Sequence, residues 1–175
     1  MLKLFTNNKQ QQNRKLFEEA VDDYSEPLYW HARRMVVRHE DAEDVVQNTF
    51  ANAWAHIEEL RDITSLKSWL YSIATRESLA IIRTKSRMQP DEQTVTNILC
   101  QRLDDSVGEN GDSIEAALQR EILKLTESQR TVFLLRYYDE LSYKEISNII
   151  GITESTAKVH YHNAFNKITE SLKNR

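Results

Sequence analysis

Residues 141–165, LSYKEISNIIGITESTAKVHYHNAF, carry the pattern that decides the fold of the C-terminal half. Glu145 follows Ser142 at the capping-box spacing that opens a helix, and Gly151 is placed to end that helix. Thr153 is then the predicted cap of a longer helix. A short helix, a tight turn containing glycine and a longer helix form the helix-turn-helix pattern, whose second helix enters the major groove of DNA.

The flanking sequence extends this pattern in both directions. A second capping box, Thr126 to Gln129, predicts another helix upstream. In the longer helix, Ala157, Tyr161, Ala164, Phe165, Ile168 and Leu172 recur at helical spacing and form the predicted buried face. The opposite side is predicted to reach base edges and phosphates through Ser155, Lys158, Val159, His162, Asn163 and Asn166.

The N-terminal half also shows helical spacing throughout. A first helix passes through Tyr24, and Pro27 is placed to open a second helix with Ser25 or Glu26 as its cap. Asp41 is the predicted cap of a third helix, whose buried stripe is Val46, Phe50, Ala53, Trp54 and Ile57 and whose outer face is polar and acidic. Ser65 is the predicted cap of a fourth helix.

The fourth helix carries a stripe of one aromatic and three basic residues. At about 100° per residue, Trp69, Arg76, Arg83 and Arg87 fall within a narrow sector. Such a stripe can stack on a base and follow phosphates. The same residues are equally compatible with a solvated basic helix end and a tryptophan that belongs to the core. Spacing alone leaves both interpretations open.

The middle of the chain differs in composition from both halves. Met88–Asp112 holds Pro90, Gly108 and Gly111, and residues 90–124 carry three basic against eight acidic side chains. This composition predicts a flexible acidic linker between two small helical domains, and therefore an all-α chain. The predicted division is a polar N-terminal tail at 1–14, a helical domain at 15–87, the linker at 88–112 and a helix-turn-helix domain at 113–175.

Several classes of function lack the residues that they require. The 175 residues include three glycines and one cysteine, Cys100, and hold no glycine-rich phosphate loop, nucleophile elbow or cysteine pair. His160 and His162 point apart on a helix and cannot share a metal. We therefore expect no enzyme activity, metal or cofactor. No stretch is apolar enough to cross a bilayer and the start lacks a secretory core, so a cytoplasmic protein is expected.

Four segments together resemble one known family. They are Asp41–Phe50 (DAEDVVQNTF) with Ala53-Trp54 behind it, Ser68–Ala74 (SWLYSIA), Leu125–Arg130 (LTESQR) and Leu141–Ile146 (LSYKEI). They resemble the sigma-70 family of transcription initiation factors, specifically its small extracytoplasmic-function branch. The resemblance covers roughly residues 15–87 and 114–173. It implies a sigma factor that binds RNA polymerase core and directs promoter recognition.

The resemblance also implies a role for each surface. DAEDVVQNTF resembles the segment that docks on the clamp helices of the largest polymerase subunit, which points to Asp41, Asp44, Gln47 and Asn48. The minus-ten element would be read by Arg61, Trp69, Arg76, Arg83 and Arg87, with an unstacked base captured by the loop at 60–65. The minus-thirty-five element would be read by the longer helix of the helix-turn-helix, through Ser155, Thr156, Lys158, Val159, His162 and Asn163. Further partners implied are the polymerase flap and an anti-sigma protein.

The chain departs from the family pattern on its fourth helix. Relatives commonly carry an Arg-Asn pair followed by an Asp there, whereas this chain has Thr75, Arg76 and Ala80.

Two other classes of function remain as alternatives. A dimeric helix-turn-helix regulator with an N-terminal sensing or dimerisation domain accounts equally well for residues 125–173, but it leaves Asp41–Trp54 unexplained. Such a regulator would bind a palindromic site as a dimer, whereas a sigma factor would be a monomer on an asymmetric promoter. A small nucleic-acid enzyme is the third class, and it would need a metal or a carboxylate pair.

Overall fold

The computed structural model describes residues 2–60, 62–85, 92–107 and 113–174, and every regular element in these ranges is helical. The prediction of an all-α chain is therefore confirmed. Two short 3-10 turns, Ile57–Glu59 and Ile63–Ser65, join the second and third helices. The helices are α1 (Leu2–Val36), α2 (His39–Ala55), α3 (Leu66–Lys85), α4 (Glu92–Val107), α5 (Ile114–Leu123), α6 (Glu127–Tyr137), α7 (Tyr143–Ile150) and α8 (Glu154–Lys173).

Helix α1 is one continuous helix, so the prediction of a second helix opening at Pro27 is wrong. Pro27 lies inside α1 and is exposed, so the helix continues through it although proline cannot donate the backbone hydrogen bond of that position. Ser25 does not act as a cap, because its hydroxyl donates to the carbonyl of Val21 one turn earlier. The predicted polar tail at 1–14 also lies within α1 from Leu2 onward.

The caps predicted for α2 and α3 are also wrong. Helix α2 begins at His39 after a sharp corner at Val37, a buried residue with φ of 69°, and no side chain caps it. Asp41 is instead buried inside the first turn of α2. At the start of α3, Ser65 donates its hydroxyl to the Asp62 carbonyl and makes no cap bond.

Helix α4 occupies most of the segment that was predicted to be a flexible linker. Its apolar residues Leu99 and Leu103 are buried against Val37 at the α1–α2 corner and Leu123 at the end of α5. Burying the two leucines removes apolar surface from water, and this stabilises α4 in its packed position. Residues 92–107 therefore form part of the packed structure rather than a flexible connection. The prediction of a flexible linker is wrong for these residues.

The helix-turn-helix is present as predicted. Ser142 and Glu145 form a complete capping box on α7, Gly151 ends α7 in the left-handed conformation with φ of 71°, and Thr153 accepts from Thr156 N to cap α8. Thr126 caps α6 in the same way. These caps satisfy backbone N–H groups that the first turn of a helix leaves unpaired, and they fix where each helix begins.

Two bundles surround the buried side chains. The first combines α1, α2 and α3, the second combines α5 to α8, and α3 also packs on α7. Two aromatic residues predicted for the core are nearly half exposed. Trp54 is 47% exposed and contacts Phe17. Phe165 is 45% exposed because it lies about 100° around α8 from the buried Ala164.

Within the described ranges, no helix combines the length and apolar character that a membrane crossing requires.

Candidate protein- and nucleic-acid-binding surfaces

The outer face of α2 presents three of the four residues predicted to dock on polymerase. Asp44, Gln47 and Asn48 are exposed and lie within about one turn of each other, because positions three and four apart share one side of a helix. We call these three residues the α2 docking face. It offers one carboxylate and two amides, which suit a basic partner surface with hydrogen-bond donors and acceptors.

Asp41, the fourth predicted docking residue, does not belong to this face. Its side chain is 2% exposed, and its Oδ2 lies 3.6 Å from Arg102 Nη1 of α4, itself 10% exposed. Burial lowers the pKa of Arg102 and the charge of Asp41 opposes that shift. Asp41 therefore packs between α2 and α4 and lies apart from the α2 docking face, and its contact with polymerase stays a prediction.

The aromatic and basic stripe on α3 is present in part. Trp69 is half-buried, while Arg76 and Arg83 are exposed. Arg76 Nε donates to the Ser72 carbonyl one turn earlier, and Arg83 Nη2 lies 2.8 Å from Glu127 Oε1 of α6. The predicted Arg61 and Arg87 lie outside the described residues. One guanidinium of the stripe is thus already engaged by the helix-turn-helix bundle.

A cleft of about 480 Å³ lies beside this stripe, between the end of α2 and α3. One wall is an interhelical hydrogen bond from Asn52 Nδ2 to Glu77 Oε1, 3.0 Å long. The lining combines aromatic, amide and charged groups, which can stack on a flat ring and bond its edge. It comprises Asn52, His56, Glu59, Trp69, Ile73, Arg76 and Glu77. No sequence pattern marks Asn52, His56 or Glu77 as part of a ring-binding cleft, because only packing brings the two helices together.

The loop leading into α3 is fixed by short local bonds. Asp62 accepts from the backbone N–H and the hydroxyl of Thr64, at 2.9 and 2.7 Å. These two bonds stabilise the carboxylate and lower the pKa of Asp62, the hydroxyl bond contributing more. Ile63, next in the chain, is exposed. The loop therefore presents an ordered turn with an apolar side chain at its tip.

The outward side of α8 carries most of the residues predicted to read DNA. Ser155, Lys158, Val159, His162 and Asn163 are all exposed along its N-terminal half. Thr156 is different, because it is partly buried and shares hydrogen bonds with Thr153 as part of the cap. It thus contributes to helix geometry, and we call the five exposed residues the α8 reading face.

Comparison with known proteins gives consistent matches along the chain. Residues 20–88 match the family model "Sigma-70 region 2", and residues 115–168 match "Sigma-70, region 4". The ECF RNA polymerase sigma factor SigW of Bacillus subtilis is similar to this chain, with 30% identity over 166 residues that cover 90% of the chain and 89% of SigW.

Two solved structures share the fold. The sigma factor RpoE in complex with the anti-sigma factor NepR, from Bartonella quintana, aligns with a TM-score of 0.70 at 23% identity over 90% of this chain and 96% of RpoE. CnrH in complex with the cytosolic domain of CnrY aligns with a TM-score of 0.66 at 21% identity, over 90% of this chain and 88% of CnrH.

Proposed function

The chain belongs to the sigma-70 family, in its extracytoplasmic-function branch. From this we propose which of its surfaces binds polymerase and which bind promoter DNA. As a sigma factor it binds RNA polymerase core and directs promoter recognition and transcription initiation. The family is not enzymatic, and polymerase carries out the chemistry. Residues 15–87 would form the domain for core binding and the minus-ten element. Residues 113–175 would read the minus-thirty-five element.

The α2 docking face is the proposed contact with the clamp helices of the largest polymerase subunit. The observation that carries this proposal is the exposure of Asp44, Gln47 and Asn48 on one side of a helix whose other side is buried. A carboxylate flanked by amides favours a basic surface through charge attraction and directional hydrogen bonds.

We expect Asp44→Ala combined with Gln47→Ala to weaken binding to sigma-free polymerase core by about tenfold, since truncating central interface residues typically costs 1 kcal/mol or more. Fluorescence anisotropy of the labelled chain titrated with core measures this. A matched control is Asp105→Ala with Gln101→Ala, which removes an exposed aspartate and an exposed glutamine from α4. Equal loss in both double variants would reject the docking face, and no binding by the folded parent would favour the dimeric regulator.

The stripe on α3 and the cleft beside it are the proposed minus-ten surface. Trp69 and Arg76 line the cleft and would hold an unstacked base, while Arg83 would follow the phosphates. Arg61 and Arg87 remain proposed contacts of the same surface.

The α8 reading face is the proposed contact with the minus-thirty-five element. We expect Lys158→Ala to weaken promoter binding evenly across sequences and to reduce the salt slope by about 1, because it removes one phosphate contact. Asn163→Ala should instead relax the preference at one base pair by about 1–3 kcal/mol. Selection of promoter sequences from a random library by the holoenzyme, at two salt concentrations, separates the two effects. An unchanged preference in Asn163→Ala would remove that residue from the reading face.

The proposed localisation and further partners of the chain follow from this function. A factor that works on RNA polymerase and promoter DNA acts where both are found, which is the cytoplasm. RpoE was solved in complex with the anti-sigma factor NepR, and CnrH in complex with the cytosolic domain of CnrY. We propose that this chain is held by such a partner too, and that the polymerase flap contacts its second domain.

A further inference from the structure

A second pocket lies on the first bundle, near the cleft that contains Trp69. Its volume is about 820 Å³, and it lies between the N-terminal part of α1 and the end of α2. The lining includes Gln10, Gln11, Asn13 and Arg14 of α1 together with Trp54 and Glu58. We call it the α1–α2 pocket. The surfaces proposed above for polymerase and promoter DNA do not include it.

Trp54 gives this pocket an exposed aromatic ring that its neighbours support. The side chain is 47% exposed, although the spacing of α2 predicts it for the core. Its ring contacts Phe17 of α1, with 4.9 Å between centroids, and Phe17 meets Phe50 edge-on at 6.0 Å. A supported aromatic ring can stack on any base, because every base has a flat face.

The N-terminal part of α1 supplies positive charge and amides. Residues 1–17 hold no acidic side chain and four basic ones, Lys3, Lys9, Arg14 and Lys15. Between residues 9 and 15 every side chain is exposed except the half-buried Asn13. Arg14 pairs with Glu18 at 2.9 Å, but these side chains are 75% and 60% exposed. Such a surface pair contributes little stability, so a phosphate can take the place of Glu18.

These groups match the chemistry of a single nucleic-acid strand. Arginine and lysine bind phosphates, side-chain amides bond base edges, and an exposed indole stacks on a base. Glu58 also lines the pocket, and its carboxylate can accept from an exocyclic amino group of a base but repels phosphate. The phosphates are therefore expected on the α1 side, where Arg14 lies, and the base on the side of Trp54.

The pocket adjoins the cleft that is proposed to hold an unstacked base. His56 lines the cleft, whereas its neighbours Ala55 and Ile57 line the pocket. Each site also includes one tryptophan, Trp69 in the cleft and Trp54 in the pocket. A strand with one base in the cleft can therefore place a nearby base in the pocket.

We propose that the α1–α2 pocket binds a further base of the unstacked promoter strand, with Trp54 stacking on the base and Arg14 binding a phosphate. The inference rests on the proposed minus-ten function of the cleft. It adds a contact made by α1, a helix to which the proposed function assigns no contact with DNA. The strand would thus be held beyond the positions that α3 contacts.

Removal of single bases tests this pocket in the holoenzyme. The probe is the promoter that the holoenzyme selects from the random library, with the strand around the minus-ten element unpaired and an abasic site at one position at a time. In the parent, the abasic site at the position held by Trp54 should weaken binding about tenfold, the loss of one base–aromatic stack. Trp54→Leu should weaken binding of the intact probe by a similar factor, and the same abasic site should then cause no further loss.

Two matched controls separate the pocket from a general effect. Trp30 on α1 is also 47% exposed and does not line the pocket, so Trp30→Leu should keep the sensitivity to the abasic site. Arg14→Ala should lower the slope of log K against log salt by about 0.7, because one phosphate contact to a single strand is lost. Lys15 is 78% exposed and also pairs with a glutamate, but it does not line the pocket, so Lys15→Ala should leave the slope unchanged.

The outcomes distinguish the pocket from the proposed function. If Trp69→Leu removes the sensitivity to an abasic site and Trp54→Leu removes it at no position, the cleft stands and the pocket is overturned. Loss of core binding by Trp54→Leu without DNA, with circular dichroism unchanged, would identify polymerase as the occupant and also overturn it. If the parent holoenzyme binds no promoter, the proposed function fails and the pocket fails with it.

Discussion

Arg102→Ala is expected to lower the free energy of unfolding by about 3 kcal/mol, because it removes the guanidinium that lies 3.6 Å from the buried carboxylate of Asp41. Asp41 is 2% exposed in the first turn of α2, and Arg102 reaches it from α4 with its own side chain 10% exposed. The loss should therefore exceed what an ion pair on the surface contributes.

Urea denaturation followed by circular dichroism measures this loss. Arg120→Ala is the control, because its pair with Asp104 also joins α4 to another helix, here α5, but involves an Asp104 side chain that is 57% exposed. Such a surface pair contributes about 0–1 kcal/mol. Adding Asp41→Asn to Arg102→Ala should recover part of the stability, since the buried charge is then gone. If Arg102→Ala costs no more than Arg120→Ala, α4 is not a stable part of the fold.

The features predicted correctly from sequence are those that depend on neighbouring residues. The caps at Thr126, Ser142 and Thr153 and the stop at Gly151 each act within one helical turn. Their side chains satisfy backbone groups only a few residues away, so spacing alone locates them. The helix-turn-helix could therefore be predicted from the sequence alone.

The predictions that failed depended on partners distant in the chain. Residues 88–112 have the glycine, proline and acidic residues that are typical of a linker. This composition predicts a linker although Val95, Leu99 and Leu103 recur at every fourth position, as in a helix. These side chains form the buried face of α4 because they pack against Val37 and Leu123, which are distant in the chain. The burial of Asp41 depends on distant residues in the same way, since Arg102 of α4 lies against it.

The same distinction between local patterns and distant partners applies to the candidate surfaces. Exposure of the α2 docking face and the α8 reading face follows from helix periodicity once the buried side is known. A buried hydrogen bond joins His31 of α1 to Asp139, in the turn between α6 and α7, across 108 positions, and no local pattern marks either residue. A buried histidine and aspartate become informative only when packing brings them together.

Phe133→Ala is expected to lower the free energy of unfolding of the helix-turn-helix bundle by about 4 kcal/mol. Phe133 is among the largest fully enclosed side chains, 2% exposed on α6. Its ring stacks on Tyr137, 5.1 Å away between centroids, and on Tyr161 of α8, 5.8 Å away. Truncation removes both ring contacts and leaves a cavity between α6 and α8, so the α8 reading face loses its support.

The same bundle contains a matched control in Phe165→Ala. Phe165 also stacks on Tyr161, at 6.3 Å, but it is 45% exposed and should cost less than about 1 kcal/mol. Thermal unfolding compares the two variants, and promoter binding by the holoenzyme reports the reading face. Promoter binding lost in Phe133→Ala with core binding retained would mean that the α2 docking face acts without a folded second bundle. Equal stability of the two variants would mean that the ring of Phe133 does not hold α6 to α8.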